Sequence, residues 1–149
     1  MGKRGELWFV LQIVLFVIIF FAPGVAPFGF PIELRALGVP ILAIGGILGT
    51  AGVLSLGSNL SPFPKPIENG QLVTTGAYRF VRHPIYAGLI LGTLGWGLLA
   101  GSLLGVGLAI VMLIFFDFKS RREEEWLVEK YPGYSDYRRR VRKLIPWVY

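Results

Sequence analysis

The chain has 149 residues, 54% of them hydrophobic and only 16% charged, and its 15 Lys and Arg against 9 Asp and Glu give a net charge of +6. A soluble domain carries roughly 25% charged residues, and the absence of cysteine together with a single histidine excludes a disulfide framework, a thiolate metal site and a structural zinc site. The positive charge suits anionic lipid heads rather than nucleic acid, because the basic residues flank apolar blocks and form no basic face free of them.

In chain order, residues 7–22 are uncharged and carry one polar side chain, Gln12. Lys3 and Arg4 before this run and "APGVAP" after it also describe a secretory signal peptide. With Met1 at its head, the run is expected to be retained as a first membrane span. Residues 37–56 carry no charge and predict a second span, within which Gly45, Gly46, Gly49 and Gly52 have the small-xxx-small spacing of close helix packing. Residues 57–83 hold Pro62, Pro64 and Pro66, then "ENGQLVTTGAYRF" with the turn signals Asn69-Gly70 and Thr75-Gly76. This loop is too rich in Pro and Gly for a regular helix and too well punctuated for a slack linker.

Residues 84–116 are again uncharged. As one helix they would measure about 50 Å, beyond a hydrocarbon core of about 30 Å, so the chain must fold back. Ala100-Gly101-Ser102 is the expected turn, giving helices over 84–100 and 103–118. The tail, 119–149, begins by extending the fourth helix through "KSRREEEWLVEKY" to a break at Pro132-Gly133. Beyond it Tyr134, Tyr137, Val141, Leu144 and Ile145 recur every three to four residues among basic side chains, which predicts an amphipathic helix on the membrane surface. The expected fold is therefore an all-α integral membrane protein, one domain over 1–149, with about four transmembrane helices, a cytoplasmic loop and a C-terminal amphipathic helix.

Charge sets the orientation. Of the fifteen Lys and Arg, Arg35 alone falls on the side of the first and third connections, and the other fourteen lie on the side of both termini. By the positive-inside pattern that side is cytoplasmic.

Two charged stretches meet this interface. Arg79, Arg82 and His83 can be read as anchors snorkelling to phosphates, with Pro84 in a first helical turn where its missing N–H costs nothing. Glu123-Glu124-Glu125 can be read as helix-surface residues in i,i+4 pairs, Lys119 with Glu123 and Arg121 with Glu125. On that reading the loss of one such carboxylate costs folding only tenths of a kcal/mol.

Taken together, "GAYRFVRHPIYAG" followed some forty residues later by "EE", an aromatic-Gly turn, "Y..Y" and a terminal "LIP" resembles the isoprenylcysteine carboxyl methyltransferase and phospholipid methyltransferase superfamily of integral-membrane enzymes. The resemblance covers about residues 70–147; the first two helices match only in being hydrophobic. It implies a cofactor, S-adenosyl-L-methionine, held without a Rossmann fold, in keeping with the absence of a G-x-G-x-x-G turn. It implies methyl transfer to a lipid-like or prenylated acceptor at the cytoplasmic interface, or else to a phospholipid amine or a small thiol, with the bilayer as partner and no metal. A non-catalytic membrane scaffold is the rival reading.

By the same resemblance Tyr78, Arg82, His83, Pro84 and Tyr86 take cofactor positions, and backbone groups of Gln71, Leu72 and Val73 stand where the family's loop meets the nucleoside. Glu123 and Glu124 correspond to the family's Glu pair, with the register among the three glutamates open by one residue. The "YPGY" turn is shorter than the usual aromatic-Gly-x-x-Tyr. Lys119, with Arg121 nearby, stands where the family has a carboxylate-binding arginine. The chemistry is plausible residue by residue: Arg82 and His83 donate, the glutamates accept, and the tyrosines stack or hydrogen-bond. Transfer from a sulfonium is an in-line displacement governed by alignment and exclusion of water. A carboxylate or thiolate acceptor needs no base, whereas an amine must lose a proton, which Glu123 or Glu124 could take.

Overall fold

The computed structural model describes residues 4–25, 29–146 and 148–149. Lys3 and the 26–27 end of the "APGVAP" stretch lie outside the described residues. The helices are α1 Glu6–Val25, α2 Ile32–Ala36, α3 Gly38–Leu56, α4 Pro84–Leu99, α5 Leu103–Lys130 and α6 Tyr134–Arg140, with short 3-10 turns at Gly57–Asn59 and Gly76–Arg79.

Two segments, Ile32–Asn59 and Leu103–Lys130, are long and apolar enough to cross a bilayer, while Glu6–Ala22 and Pro84–Leu99 are shorter apolar helices. The 16 residues of α4 make about 24 Å, short of a core of about 30 Å. The 28 residues of α5 make about 42 Å, so its C-terminal part extends beyond any such core. Of the four expected spans, two therefore meet the length criterion by themselves. Outward-facing side chains on α1 (Val10, Val14, Val17, Phe21) and α5 (Ile110, Val111, Ile114) are apolar and exposed, as suits contact with lipid rather than water.

Glycine brings the helices together. A Cβ at Gly88 would lie 2.6 Å from both Gly45 O and Gly49 N, and one at Gly95 would lie 2.5 Å from Leu42 N and 2.8 Å from Gly38 O. The backbones of α3 and α4 therefore touch along a seam of Gly38, Gly45 and Gly52 facing Gly88 and Gly95, all at seven-residue spacing. The four glycines singled out in the second apolar block divide accordingly: Gly45, Gly49 and Gly52 face α4, but Gly46 faces open space. Next to the α4–α5 turn, Gly97 meets Gly105 in the same way. That turn closes with Ser102 N donating to Gly97 O at 2.9 Å and Gly101 N to Leu98 O at 2.9 Å, a Schellman pattern. It puts Gly101 at φ +65°, a conformation that favours glycine, and Ser102 Oγ then caps α5 by accepting from Gly105 N at 3.1 Å.

α1 packs on α5 through Leu15, Ala22, Leu108, Met112 and Phe116, with Phe16 and Tyr86 against them. The tail departs from the expected surface helix. α6 stops at Arg140; the chain turns extended at Val141 and the following residues lie alongside 81–83, Arg82 N donating to Arg142 O at 2.8 Å and His83 N to Lys143 O at 3.0 Å. Tyr134, Tyr137 and Leu144 are buried in protein. Of the periodic apolar positions, Tyr134, Tyr137 and Leu144 face the helical bundle, while Ile145 stays half exposed. Lys143 Nζ then fixes the strand to Asp117 Oδ1 at 2.6 Å.

The seam predicts opposite outcomes for two neighbouring glycines. Gly88→Ala forces its methyl into the α3 backbone and should destabilise by about 1–3 kcal/mol, whereas Gly46→Ala, with nothing within 4 Å, should be neutral or stabilising. Thermal unfolding of the two variants in the same detergent checks this; equal midpoints would remove the seam from the account.

Candidate functional site

A cavity of about 320 Å³ opens between the ends of α3, α4 and α5, the 59–73 loop and the tail. Its lining follows from helical periodicity. On α5, Lys119, Glu123 and Leu127 are spaced by four and share one face, which Tyr131 continues. His83 and Tyr86 enter from the start of α4, Tyr78 from the 3-10 turn, Gln71, Leu72 and Val73 from the loop, and Tyr134 and Tyr137 from α6.

The three glutamates separate because successive helical residues point about 100° apart. Glu123 faces the cavity, where Tyr86 Oη donates to its Oε2 at 2.7 Å and His83 Nδ1 lies 3.9 Å away. Glu124 lies beneath, 3% exposed, accepting from Arg82 Nε and bonded to His83 Nε2, each at 2.9 Å, with Arg138 Nε at 3.3 Å. Glu125 is exposed and pairs with Arg122. Of the three, Glu123 thus faces the cavity, Glu124 points into the protein and Glu125 points to solvent.

Arg82 uses its remaining arm on the tail, donating to Arg138 O at 3.1 Å and to Val141 O. An aromatic stack continues inward: His83 on Tyr86 with centroids 5.3 Å apart and planes at 1°, then Tyr86 on Phe116 at 4.4 Å and 17°. Lys119 is buried, donates to Gln12 Oε1 and to Pro62 O at 3.1 Å, and sits 5.4 Å from the centre of the Tyr86 ring. The loop is held at both ends. Gln71 N donates to Asn59 Oδ1 at 2.9 Å, and Lys130 Nζ donates to Glu68 O at 2.8 Å.

Of the residues singled out by sequence, nine line the cavity: Gln71, Leu72, Val73, Tyr78, Arg82, His83, Tyr86, Lys119 and Glu123. Pro84 is buried in the first turn of α4, and Glu124 supports the cavity from below. Arg121 is not brought in. Two positions from Lys119, it points to the far side of α5, 62% exposed and paired with Asp117 Oδ2 at 2.8 Å, not with Glu125.

Gln12, Asn59, Tyr131 and Tyr134 also line the cavity and were not assigned from sequence. The signal for Gln12 was present, as the one polar side chain in the first apolar run. Tyr134 is 1% exposed, and its hydroxyl has no partner among the described residues. Burial, reinforced by the charge of Glu124, pushes this phenol well above its ordinary range; burial and Glu123 do the same for Tyr78. Both remain protonated, neutral donors at physiological pH. Tyr137 uses its hydroxyl on Tyr78 O at 2.6 Å. The cavity therefore offers the Glu123 carboxylate, the ammonium groups of Lys119 and Lys65, aromatic faces and the unpaired phenol of Tyr134.

A family model described as phospholipid methyltransferase matches residues 34–133. Protein-S-isoprenylcysteine O-methyltransferase of Schizosaccharomyces pombe is 32% identical over 120 residues, covering 78% of this chain and 50% of that protein. The cobalt-zinc-cadmium resistance protein CzcN of Cupriavidus metallidurans is 34% identical over 80 residues, covering 53% of this chain and 37% of that protein. Among solved structures, the eukaryotic intramembrane Ras methyltransferase, isoprenylcysteine carboxyl methyltransferase, superposes with a TM-score of 0.75 at 23% identity over 93% of this chain and 53% of that one, a likeness of fold. The chain spans about half or less of the length of the curated relatives named here.

Burial corrects the expectation that either glutamate of the pair is dispensable for folding. Glu124→Ala strands Arg82 and His83 and should lower stability by about 3–5 kcal/mol, while Glu125→Ala should stay within about 0.5 kcal/mol. Tyr134→Phe removes an unpaired hydroxyl and should be neutral or stabilising without ligand. Unfolding midpoints of the three purified variants check the ranking.

Proposed function

The chain belongs to the phospholipid methyltransferase family, and on that premise we propose that it transfers a methyl group from S-adenosyl-L-methionine to a lipid-like or prenylated acceptor at the cytoplasmic face of a membrane. The observation that carries the reading is the convergence of the "RHPIY" segment and the Lys119–Glu123 face on one cavity at the end of the apolar helices. A volume of about 320 Å³ falls within the range of small-molecule sites.

The residues present fit the cofactor. Glu123 would take its ammonium or balance its sulfonium, Tyr134 would pair its unsatisfied hydroxyl with a polar edge, and Gln71, Leu72 and Val73 would line the nucleoside. Bound there, S-adenosylmethionine supplies a methyl group activated by positive charge on sulfur. The chain's own part is alignment and dryness: the His83–Tyr86–Phe116 stack fixes one wall, and prolines of the loop and Leu89 exclude water.

Lys119 supports an anionic acceptor, since it places a cation on the cavity wall. As a point charge it would hold a carboxylate without the two-pronged geometry of arginine. Glu123 supports the second reading, an amine acceptor such as a phospholipid headgroup, because it is the carboxylate facing the cavity and could receive the amine's proton. Incubation of the purified chain with methyl-labelled cofactor and, separately, an S-prenylated cysteine, phosphatidylethanolamine and a small thiol separates these. Label in none of them would sink the enzymatic reading.

The membrane arrangement that goes with this function is four spans with both termini cytoplasmic, supported by the fourteen-to-one basic asymmetry. Because the chain has no cysteine, single replacements report topology cleanly. Phe30→Cys and Leu103→Cys should react with an impermeant maleimide from outside, and Ser135→Cys only after permeabilisation.

Within the cavity, Glu123→Gln should weaken cofactor binding about tenfold or more, since a charge-assisted hydrogen bond is worth roughly 1.5–3 kcal/mol. Calorimetry giving unchanged affinity for a folded Glu123→Gln protein would take Glu123 out of the binding role.

A further inference from the structure

A second cleft, of about 280 Å³, lies on the other side of the tail and is lined by Arg79, Phe80, Arg139, Arg140, Val141 and Arg142. Four of its six lining residues are arginines and none is acidic. Of those four, Arg139 alone has a carboxylate partner among the described residues, Asp136. The other three guanidiniums leave most of their donors to solvent, all of them on exposed residues. So many like charges in one cleft repel one another, and the arrangement is relieved when an anion enters. Its two walls are tied together by the backbone bonds of Arg82 and His83 to Arg142 and Lys143, so the charges are held in place rather than carried on a loose segment.

We propose that this cleft binds the phosphate of an anionic lipid headgroup. Guanidinium forks match phosphate oxygens two at a time. The surroundings select lipid over free phosphate. Phe80, 56% exposed, lies four residues before the start of α4, and Ile145 and Val148, 50% and 72% exposed, stand on the segment that follows Arg142. Apolar side chains beside a basic cleft at the end of apolar helices place the arginines at headgroup depth, with somewhere for the acyl chains to lie; this step rests on the membrane-spanning reading. The site differs from the methyl-transfer cavity but communicates with it. Its Val141 contributes the carbonyl that holds the second arm of Arg82, so an occupied cleft braces the strand that keeps Arg82 on Glu124.

The test uses the full chain in mixed micelles with equal amounts of phosphatidylglycerol and phosphatidylcholine, reading retained lipid by native mass spectrometry. The wild-type chain should retain phosphatidylglycerol over phosphatidylcholine by at least tenfold. Each of Arg79→Gln, Arg140→Gln and Arg142→Gln should lower that preference up to about fivefold, and the triple variant should approach parity. Arg122→Gln, an exposed arginine elsewhere on α5, should leave it unchanged. Should the triple variant fail to fold, the single variants decide. An unchanged preference in the arginine variants, an equal loss in Arg122→Gln, or full displacement of phosphatidylglycerol by millimolar inorganic phosphate would each overturn the lipid assignment. Lipid retention is read without methyl transfer, so its failure is distinct from failure of the enzymatic reading.

Discussion

The end of the bundle where the cavity opens depends on one buried anion. Removing a carboxylate such as Glu124 from water costs several kcal/mol, and the cost is offset only if the protein replaces the lost water with well-placed donors. Here the donors come from two separate parts of the chain, Arg82 and His83 just before α4 and Arg138 on α6. Satisfying the anion therefore assembles the site. It pins the approach to α4 against α5, and because Arg82 also holds two tail carbonyls, it draws the tail across the opening.

That cluster can form only if His83 and Glu124 arrive within about one turn of each other along the hairpin, and the glycine contacts arrange this. His83 and Lys119 are each 18 residues from Gly101 (101 − 83 and 119 − 101). In an antiparallel hairpin with a tight turn they are level, and Glu124 follows about one turn further on. The contact of Gly97 with Gly105 holds α4 and α5 close beside the turn, and the seven-residue glycine seam fixes α4 along α3. Backbone-to-backbone packing leaves little freedom to slide. A bulky side chain in that seam would shift the basic segment relative to its carboxylate.

The meeting of the histidine segment with the glutamates was legible in the sequence because it needs only a short turn between two apolar helices. The assignment among three consecutive glutamates was not, since it depends on the rotation of α5 about its axis, which α1 and the tail settle. Helical spacing from Lys119 puts Glu123 on the same face and Arg121 on another, so the place of Arg121 away from the cavity is legible in the sequence. The tail was legible as periodic but not as to what it covers: an apolar stripe fits a lipid surface and a protein surface equally well, and the pairing of 81–83 with 141–144 has no sequence signature. Gln12 stands out in the sequence as a lone polar residue, but neither its partner nor that of Asn59 is legible there. They meet their partners through hydrogen bonds spanning more than a hundred residues and a dozen residues respectively, Gln12 with Lys119 and Asn59 with Gln71.

Adjacent positions on α5 thus divide a task that neither could perform alone. A carboxylate meant to meet a cationic ligand must keep accessible oxygens, and so cannot be saturated by arginine. A carboxylate meant to organise three chain segments must be saturated and dry. Glu123, with one phenolic donor from Tyr86 and an open side, meets the first condition; Glu124 meets the second. Because both sit on the same rigid helix, the position of Glu123 is set by the contacts of Glu124, and the ring of His83, bonded to one and stacked on the partner of the other, transmits that setting across the cavity wall. A histidine before an apolar helix is, on this geometry, the piece that ties the two carboxylates together, bonded to Glu124 and stacked on the tyrosine that donates to Glu123.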